Sequence, residues 1–417
     1  MKVRLIVLAS ILLVLFSIVS GLFITNNSEY RIMISSLLSV VDDNAVNEQG
    51  IMRIEVVIDN KAEFHFKRLY RDYYFNGLGD ENNDFLEYYK VNNKWKKASL
   101  IILNDTFKVK IKGHGRTPYA QKYGDNISYT IKFKGRKYPF LSKRINFIIY
   151  NRIQLSSEIL KLIGHDFNLY YPESKLVYAK VGSNDESLYF VEERINKSFF
   201  KRRKLNMVIF NKGVGGSLIY NELSDIDKLS EMIGEKLKNN NSLSTKIKEH
   251  IIKDYRALNK AIKEGNTNVL KKYFNLDYMS RLNAFRIVYG SDGHGFNSVN
   301  LEMAYDTITR LFYPIIHRDM HSSLLTNIKN PYSYIDNTNE KLLFWIALDS
   351  DKQFIDLTKE KINYYLSNNE IGRIETDIDE INKKYKELFI FDFSYLNNGL
   401  DGSAIINNIK TLNMYYN

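Results

Sequence analysis

The stretch Tyr289 to His321, YGSDGHGFNSVNLEMAYDTITRLFYPIIHRDMH, holds the densest set of reactive side chains in the sequence. An apolar run leads into Asp292, Asn297 follows five positions later, and the apolar run Leu311 to Ile316 delivers His317, Arg318, Asp319 and His321. Metal-dependent phosphoryl transfer needs such groups: a carboxylate to orient the attacking hydroxyl, an amide oxygen for one metal ligand, and a second carboxylate at a strand end for the metal on ATP. The same residues also read as an ordinary turn through Ser291, Asp292, Gly293 and Gly295, with Asp319 as a solvated strand end. A third reading gathers His294, His317, Asp319 and His321 around one ion. On a strand, positions 317, 319 and 321 share a face, which suits a zinc or manganese hydrolase.

The rest of the chain must position these groups. At 417 residues it has room for one large domain or two ordinary ones. A hydrophobic share of 44%, with 30 Tyr and 24 Phe, predicts a sizeable core rather than disorder. The formal charge of +11 suits anionic partners, from nucleotide phosphates to lipid surfaces and acidic polymers. Absence of Cys excludes disulfides, thiolate metal sites and cysteine nucleophiles.

Met1-Lys2-Val3-Arg4 is basic, and Leu5 to Ile24 carries no charge. That run matches the length of a membrane-spanning helix. Basic residues before it favour a cytoplasmic N-terminus and an exported body. The expectation is a signal anchor over 1–25, with a cleaved signal peptide and a secreted protein as the alternative. A polar stalk over 26–50 follows.

From Ile51 the pattern becomes β-rich. Strands are predicted at Ile51–Ile58, Leu100–Leu103, Phe107–Ile111, Ser128–Phe133, Ile145–Tyr150, Leu176–Val181 and Leu188–Val191, with a helix over Ser156–Leu169. In the third strand Phe107, Val109 and Ile111 alternate with Lys108, Lys110 and Lys112, the pattern of a half-buried sheet. Gly113 and Gly115 in the following loop would let backbone N–H groups approach a phosphate, and Arg116 would add a bidentate donor; a plain flexible hairpin loop is the other reading. Beyond Asn211–Ser217 the chain turns helical, with helices predicted over Leu243–Glu264, Leu276–Tyr289, Leu357–Leu366 and Ile371–Phe389.

From Phe107 to about Leu325 the order of these features resembles the CotH family of spore-coat-type atypical protein kinases. The matching pieces are Ile111-Lys112-Gly113-His114-Gly115, Ser128-Tyr129-Thr130-Ile131-Lys132-Phe133, the segment Tyr189 to Asn196, Gly290-Ser291-Asp292 through Asn297, and Ile316-His317-Arg318-Asp319. The resemblance implies an α+β, atypical protein-kinase-like two-lobed fold behind the N-terminal membrane-spanning helix. A β-rich N-lobe would span 51–211 and a mainly helical C-lobe 212–417. It implies that Lys132 contacts nucleotide phosphates, that Glu193 pairs with Lys132, and that Asp292 orients the acceptor hydroxyl. Asn297 and Asp319 would hold Mg2+ or Mn2+ on ATP, with Arg116, Gly113 and Gly115 around the phosphates. The expected reaction moves the γ-phosphate of ATP to a protein or envelope hydroxyl. The sequence departs from the family where Ile316 and His317 replace the Trp and first Asp of its W-D-x-D motif, and where Thr130 replaces a basic residue. Lys143 or Arg144 could then substitute for Lys132. The alternative function is a catalytically inactive, membrane-anchored surface protein that binds an envelope partner. No basic helix points to nucleic acid.

Overall fold

The computed structural model describes residues 47–48, 50–75, 91–114, 127–135, 138–140, 142–149, 155–211, 243–289, 302–316, 348–368, 371–388 and 403–416. The chain divides into two compact units. One contains a closed seven-stranded barrel and the other is mainly helical around a three-stranded sheet.

The barrel strands are β1 (Met52–Ile58), β2 (Lys96–Ile102), β3 (Asp105–Gly113), β4 (Tyr129–Phe133), β5 (Arg144–Ile149), β6 (Ser174–Val181) and β7 (Ser187–Glu193). Their order around the barrel is β1-β2-β3-β4-β5-β7-β6. Strands β1 to β5 follow one another as antiparallel neighbours, each pairing with the next. Closure comes from β1 and β6, which run parallel with Ile54 opposite Ala179 and Val56 opposite Val181. Alternation sends one side of every strand inward. Val56, Leu100, Ile111, Ile131, Phe147, Val177 and Tyr189 form a continuous apolar interior, each large side chain contributing roughly 1.5–3 kcal/mol by leaving water.

Helix α1 (Asn60–Phe75) follows β1 directly. Asp59 caps it, accepting the Ala62 N–H at 2.7 Å. Its buried residues Ala62, Phe66 and Leu69 join the barrel core, with Phe66 edge-on to Tyr129. Glu63, on another face, accepts hydrogen bonds from the Ser183 N–H at 3.1 Å and from the Ser183 hydroxyl, and pairs with Lys67 at 2.7 Å. Gly182 in the same β6–β7 turn has φ +61, and a Cβ there would lie 3.0 Å from Ile58. Glycine is therefore required both by the backbone and by the space.

The second unit contains α2 (Leu155–Asp166), α3 (Lys197–Arg202), α4 (Thr245–Lys263), α5 (Thr267–Leu270), α6 (Leu276–Tyr289) and α7 (Lys352–Asn368). Helix α8 (Ile371–Leu388) begins in this unit, and α9 (Ser403–Tyr416) belongs to it. The sheet is β10 (Phe312–Ile315), β9 (Glu302–Asp306) and β8 (Met207–Asn211), all antiparallel. Helix α6 is buried along almost its whole length, from Tyr278 to Tyr289. It has no polar face because α7, α9 and α2 pack around it.

The expected two-lobed, kinase-like fold is not what forms. The β-rich part is a closed barrel, because β1 is paired on both sides and leaves no sheet edge. Its interior is filled with apolar side chains. Among the described residues no helix is long and apolar enough to cross a membrane, and Leu5 to Ile24 lies outside them.

Candidate functional site

The described polar chemistry of the barrel is concentrated on the outside of β2 to β5. On β3, Val109 and Ile111 point into the core, so Lys108, Lys110 and Lys112 point out. Register then aligns cations across strands. Lys97 of β2 stands opposite Lys110, Lys110 opposite Lys132 of β4, and Lys132 opposite Arg144 of β5. Four neighbouring strands about 4.8 Å apart make this row about 14 Å long. One step along, Lys108 accepts the Lys134 backbone N–H at 3.0 Å, extending the basic face. Among the described residues no acidic side chain pairs with Lys97, Lys110 or Lys132. Like charges directly opposite on a sheet repel, so the row gains most when an anion lies along it.

The other side of the row is more ordered. Trp95, just before β2, has the Lys112 ammonium 5.4 Å and the Arg144 guanidinium 5.5 Å from its ring centroid. Asn93 braces the end of β3: its Nδ2 donates to the Gly113 C=O at 3.0 Å and its Oδ1 accepts the Gly113 N–H at 2.9 Å. The His114 N–H donates to the Ser128 C=O, and His114 Nδ1 lies 3.1 Å from Thr130 Oγ1. On β5, Asn146 is 7% exposed and donates through Nδ2 to Glu192 at 3.0 Å.

The residues singled out by sequence are scattered in role. Lys132 sits in the middle of the cation row. Gly113 does not offer its N–H to a phosphate, since Asn93 takes it. Arg144, considered as a substitute for Lys132, stands beside it instead. Glu193 ends β7, is 3% exposed, and belongs to the helical unit rather than to the unit of Lys132. Its carboxylate accepts from Arg203 Nη1 at 3.1 Å and from Arg202 Nη2. Within its own unit Glu193 thus pairs with two guanidinium groups. Asn196 caps α3 by accepting the Ser198 and Phe199 N–H groups, which brings both arginines back toward Glu193. Arg203 also lies 3.7 Å over the Phe199 ring, and burial lowers its pKa against the opposing pull of Glu193. Arg116, Gly115, Asp292, Asn297 and Asp319 lie outside the described residues, as do His294, His317 and His321. Among the described residues no three His, Asp or Glu side chains gather closely enough to hold a metal ion.

Sequence reading passed over Lys97 and Trp95. The available signal was the Lys108-Lys110-Lys112 alternation, which marks an outward basic stripe. Only register shows that the neighbouring strands extend it.

Within the helical unit, two polar clusters are internally compensated. Asp254, 1% exposed, accepts from the Tyr305 hydroxyl at 2.6 Å and from Arg310 Nε at 2.8 Å. Burial, then the Asp254 carboxylate, raises the Tyr305 pKa far above its ordinary value, keeping that hydroxyl a neutral donor. A cleft of about 540 Å3 is lined by Asp277, Arg281, Lys361 and Tyr364, among others. Its charges are matched in place: Asp277 pairs with Arg281 and with Lys361, each at 3.1 Å. Neither cluster presents an unbalanced charge, so the basic face is the best candidate for ligand binding. No family model matches this chain, and no curated protein matches its sequence.

Proposed function

We propose that the protein is a binding module whose barrel holds a linear, phosphate-rich polymer on the outer face of β2 to β5. The observation that carries this reading is the cross-strand row Lys97–Lys110–Lys132–Arg144. Cations repeat at strand spacing and no acidic side chain of a described residue pairs with its three lysines. A polymer with one negative charge per repeat relieves that repulsion along the whole row, whereas a single small anion relieves it at one point. The uncharged run Leu5 to Ile24 supports attachment of this module to a membrane with the barrel presented outside.

The test is fluorescence anisotropy with end-labelled linear polyphosphate. Reversing one charge in the row, Lys110→Glu, should weaken binding at least tenfold. Reversing an exposed lysine elsewhere on the barrel, Lys175→Glu on β6, should change it less than threefold. Equal losses would reduce the effect to net charge and remove the site. A heparin fragment or a single-stranded oligonucleotide of the same charge is the competitor, and stronger binding of either would overturn the assignment to a phosphate polymer of this kind.

A second reading, transfer of the γ-phosphate of ATP with Mg2+ or Mn2+ to a protein or envelope hydroxyl, is favoured by one observation. Lys132 is a cation in this row with no acidic partner among the described residues. In that reading Asp292 orients the acceptor hydroxyl and Asn297 and Asp319 hold the metal, as the resemblance to the CotH family implies. Incubation with labelled ATP and either metal tests it: label incorporated by the protein and lost in Asp292→Ala supports transfer, and no incorporation with either metal eliminates it.

A further inference from the structure

The cleft of the helical unit is lined by the end of α2, the first turns of α6 and the second half of α7. Its volume of about 540 Å3 lies within the range of small-molecule sites, about 300–1,000 Å3. Phe167 and Tyr365, both buried, stack with ring centroids 4.7 Å apart and give the cleft an aromatic base. Tyr364 also lines it, yet its side chain is 68% exposed. On α7 it follows Glu360 by four positions and Lys361 by three, so the three share one face of the helix. The polar groups brace one another without using up their hydrogen-bonding capacity. Lys361 donates to Asp277 Oδ1 and to Glu360 Oε1, each at 3.1 Å, and keeps a third N–H. Arg281 spends Nε on Asp277 and Nη1 on the Phe167 and Asn168 carbonyls. Its Nη2 has no partner among the described residues, and neither has Glu360 Oε2.

We infer that this cleft binds a neutral sugar ring, stacked on Tyr364 and hydrogen-bonded through its hydroxyls to Glu360, Asp277, Lys361 and Arg281. The ligand class follows from what the lining offers. Two carboxylates stand against two cations, so an anion meets Asp277 and Glu360 as like charges and a cation meets Lys361 and Arg281. A ligand without charge avoids both penalties. The remaining capacity is mixed, with N–H donors on Lys361 and Arg281 and lone pairs on the two carboxylates. A hydroxyl is the group that suits such a mixture, since it donates once and accepts twice. Its bonds to these ionised partners are also of the stronger, charge-assisted kind. The ring of Tyr364 supplies the apolar half: its face carries negative potential, which meets the C–H groups on one side of a pyranose, and stacking there removes exposed aromatic surface from water. The site owes nothing to the phosphate-binding reading of the barrel.

The experiment is ligand-observed saturation-transfer NMR on the full chain, with the methyl glycosides of glucose, galactose and mannose as neutral rings. At least one should receive saturation and titrate to a plateau. With that ring, Tyr364→Ala should weaken binding at least tenfold and Tyr364→Phe, which keeps the platform, should stay within twofold. Glu360→Ala should weaken it at least fivefold. Phe64→Ala, which removes a ring 63% exposed on α1, should stay within twofold. The amino sugar and the uronate of the same ring each add one charge, and each should bind at least fivefold more weakly. No transfer to any of the three glycosides would overturn the site, as would equal losses from Tyr364→Ala and Phe64→Ala. Wild-type binding in Glu360→Ala, or equal or tighter binding of either charged sugar, would overturn the assignment to a neutral ring held by its hydroxyls.

Discussion

Lys110 of β3 and Lys132 of β4 stand directly opposite each other in antiparallel register, with Lys97 and Arg144 continuing the line on either side. Folding alone does not favour this arrangement, since opposed like charges on a sheet are destabilising. Replacing Lys132 with threonine, a β-favouring neutral residue, should raise the stability of the unliganded protein by about 0.5 kcal/mol while weakening polyphosphate binding. Urea titration measures the first effect. Added salt should act on the wild type in the same direction, because exposed charges are screened. A loss of more than about 1 kcal/mol on substitution would show that Lys132 serves the fold.

Glu193 gives the opposite expectation. It is a buried carboxylate held by Arg202 and Arg203, and removing one member of such a cluster leaves uncompensated buried charge. Glu193→Gln should cost about 3 kcal/mol in urea unfolding and leave polyphosphate affinity per folded molecule unchanged. A Glu193 that served Lys132 would behave in reverse, with binding lost and stability kept.

Many of the elements were legible in the sequence, and the reason is periodicity. The alternation at Phe107–Lys112 and the helical spacing of Leu276–Tyr289 each reflect a local rule, and both segments form as expected. Strand β8 and strand β9 were not found, because Met207–Asn211 and Glu302–Asp306 are short and lack alternation. Barrel closure was not legible at all. It depends on β1 pairing in parallel with β6, more than a hundred residues away, and nothing in Ile54 or Ala179 announces a partner. For the site, Lys132 was found for its place in a motif. Its actual neighbours Lys110 and Arg144 follow from register, which sequence does not state.

Gly182 should tolerate no side chain. Gly182→Ala places a Cβ against Ile58 and Glu63 at a positive φ, costing about 1–2 kcal/mol from the backbone conformation alone. Because this turn joins β6 to β7, the loss should appear as reduced hydrogen-exchange protection at the amide of residue 182, which donates to the Val56 C=O at 2.9 Å, and along β6.

The Glu63 contacts to the same turn make its anchoring pH dependent. The Lys67 hydrogen bond, then the Ser183 hydroxyl, lowers the Glu63 pKa below its ordinary value. A depressed folded-state pKa contributes stability above the unfolded value of about 4.3 and loses it as pH falls through the folded value. The pair is partly solvated, so the contribution is about 0.5 kcal/mol. Glu63→Gln should therefore be less stable than wild type at pH 7, and the gap should close below about pH 4. A gap that persists at pH 3 would assign the effect to packing.

Asn93 makes both hydrogen bonds to Gly113. Asn93→Ala should cost about 1–2 kcal/mol by leaving the Gly113 backbone unpaired, and it should also loosen the Trp95 environment, seen as a red shift in its emission. A stable variant with unchanged emission would detach this brace from the basic face.

The central claim is that the cation row itself contacts repeating phosphates. Its most direct measurement is the salt dependence of polyphosphate affinity for wild type and for the double variant Lys110→Gln/Lys132→Gln. Each cation that neutralises a phosphate releases bound counterions, so the log–log slope should become shallower by about two in the double variant. An unchanged slope with merely lower affinity would mean that neither lysine touches the polymer, and would contradict the account.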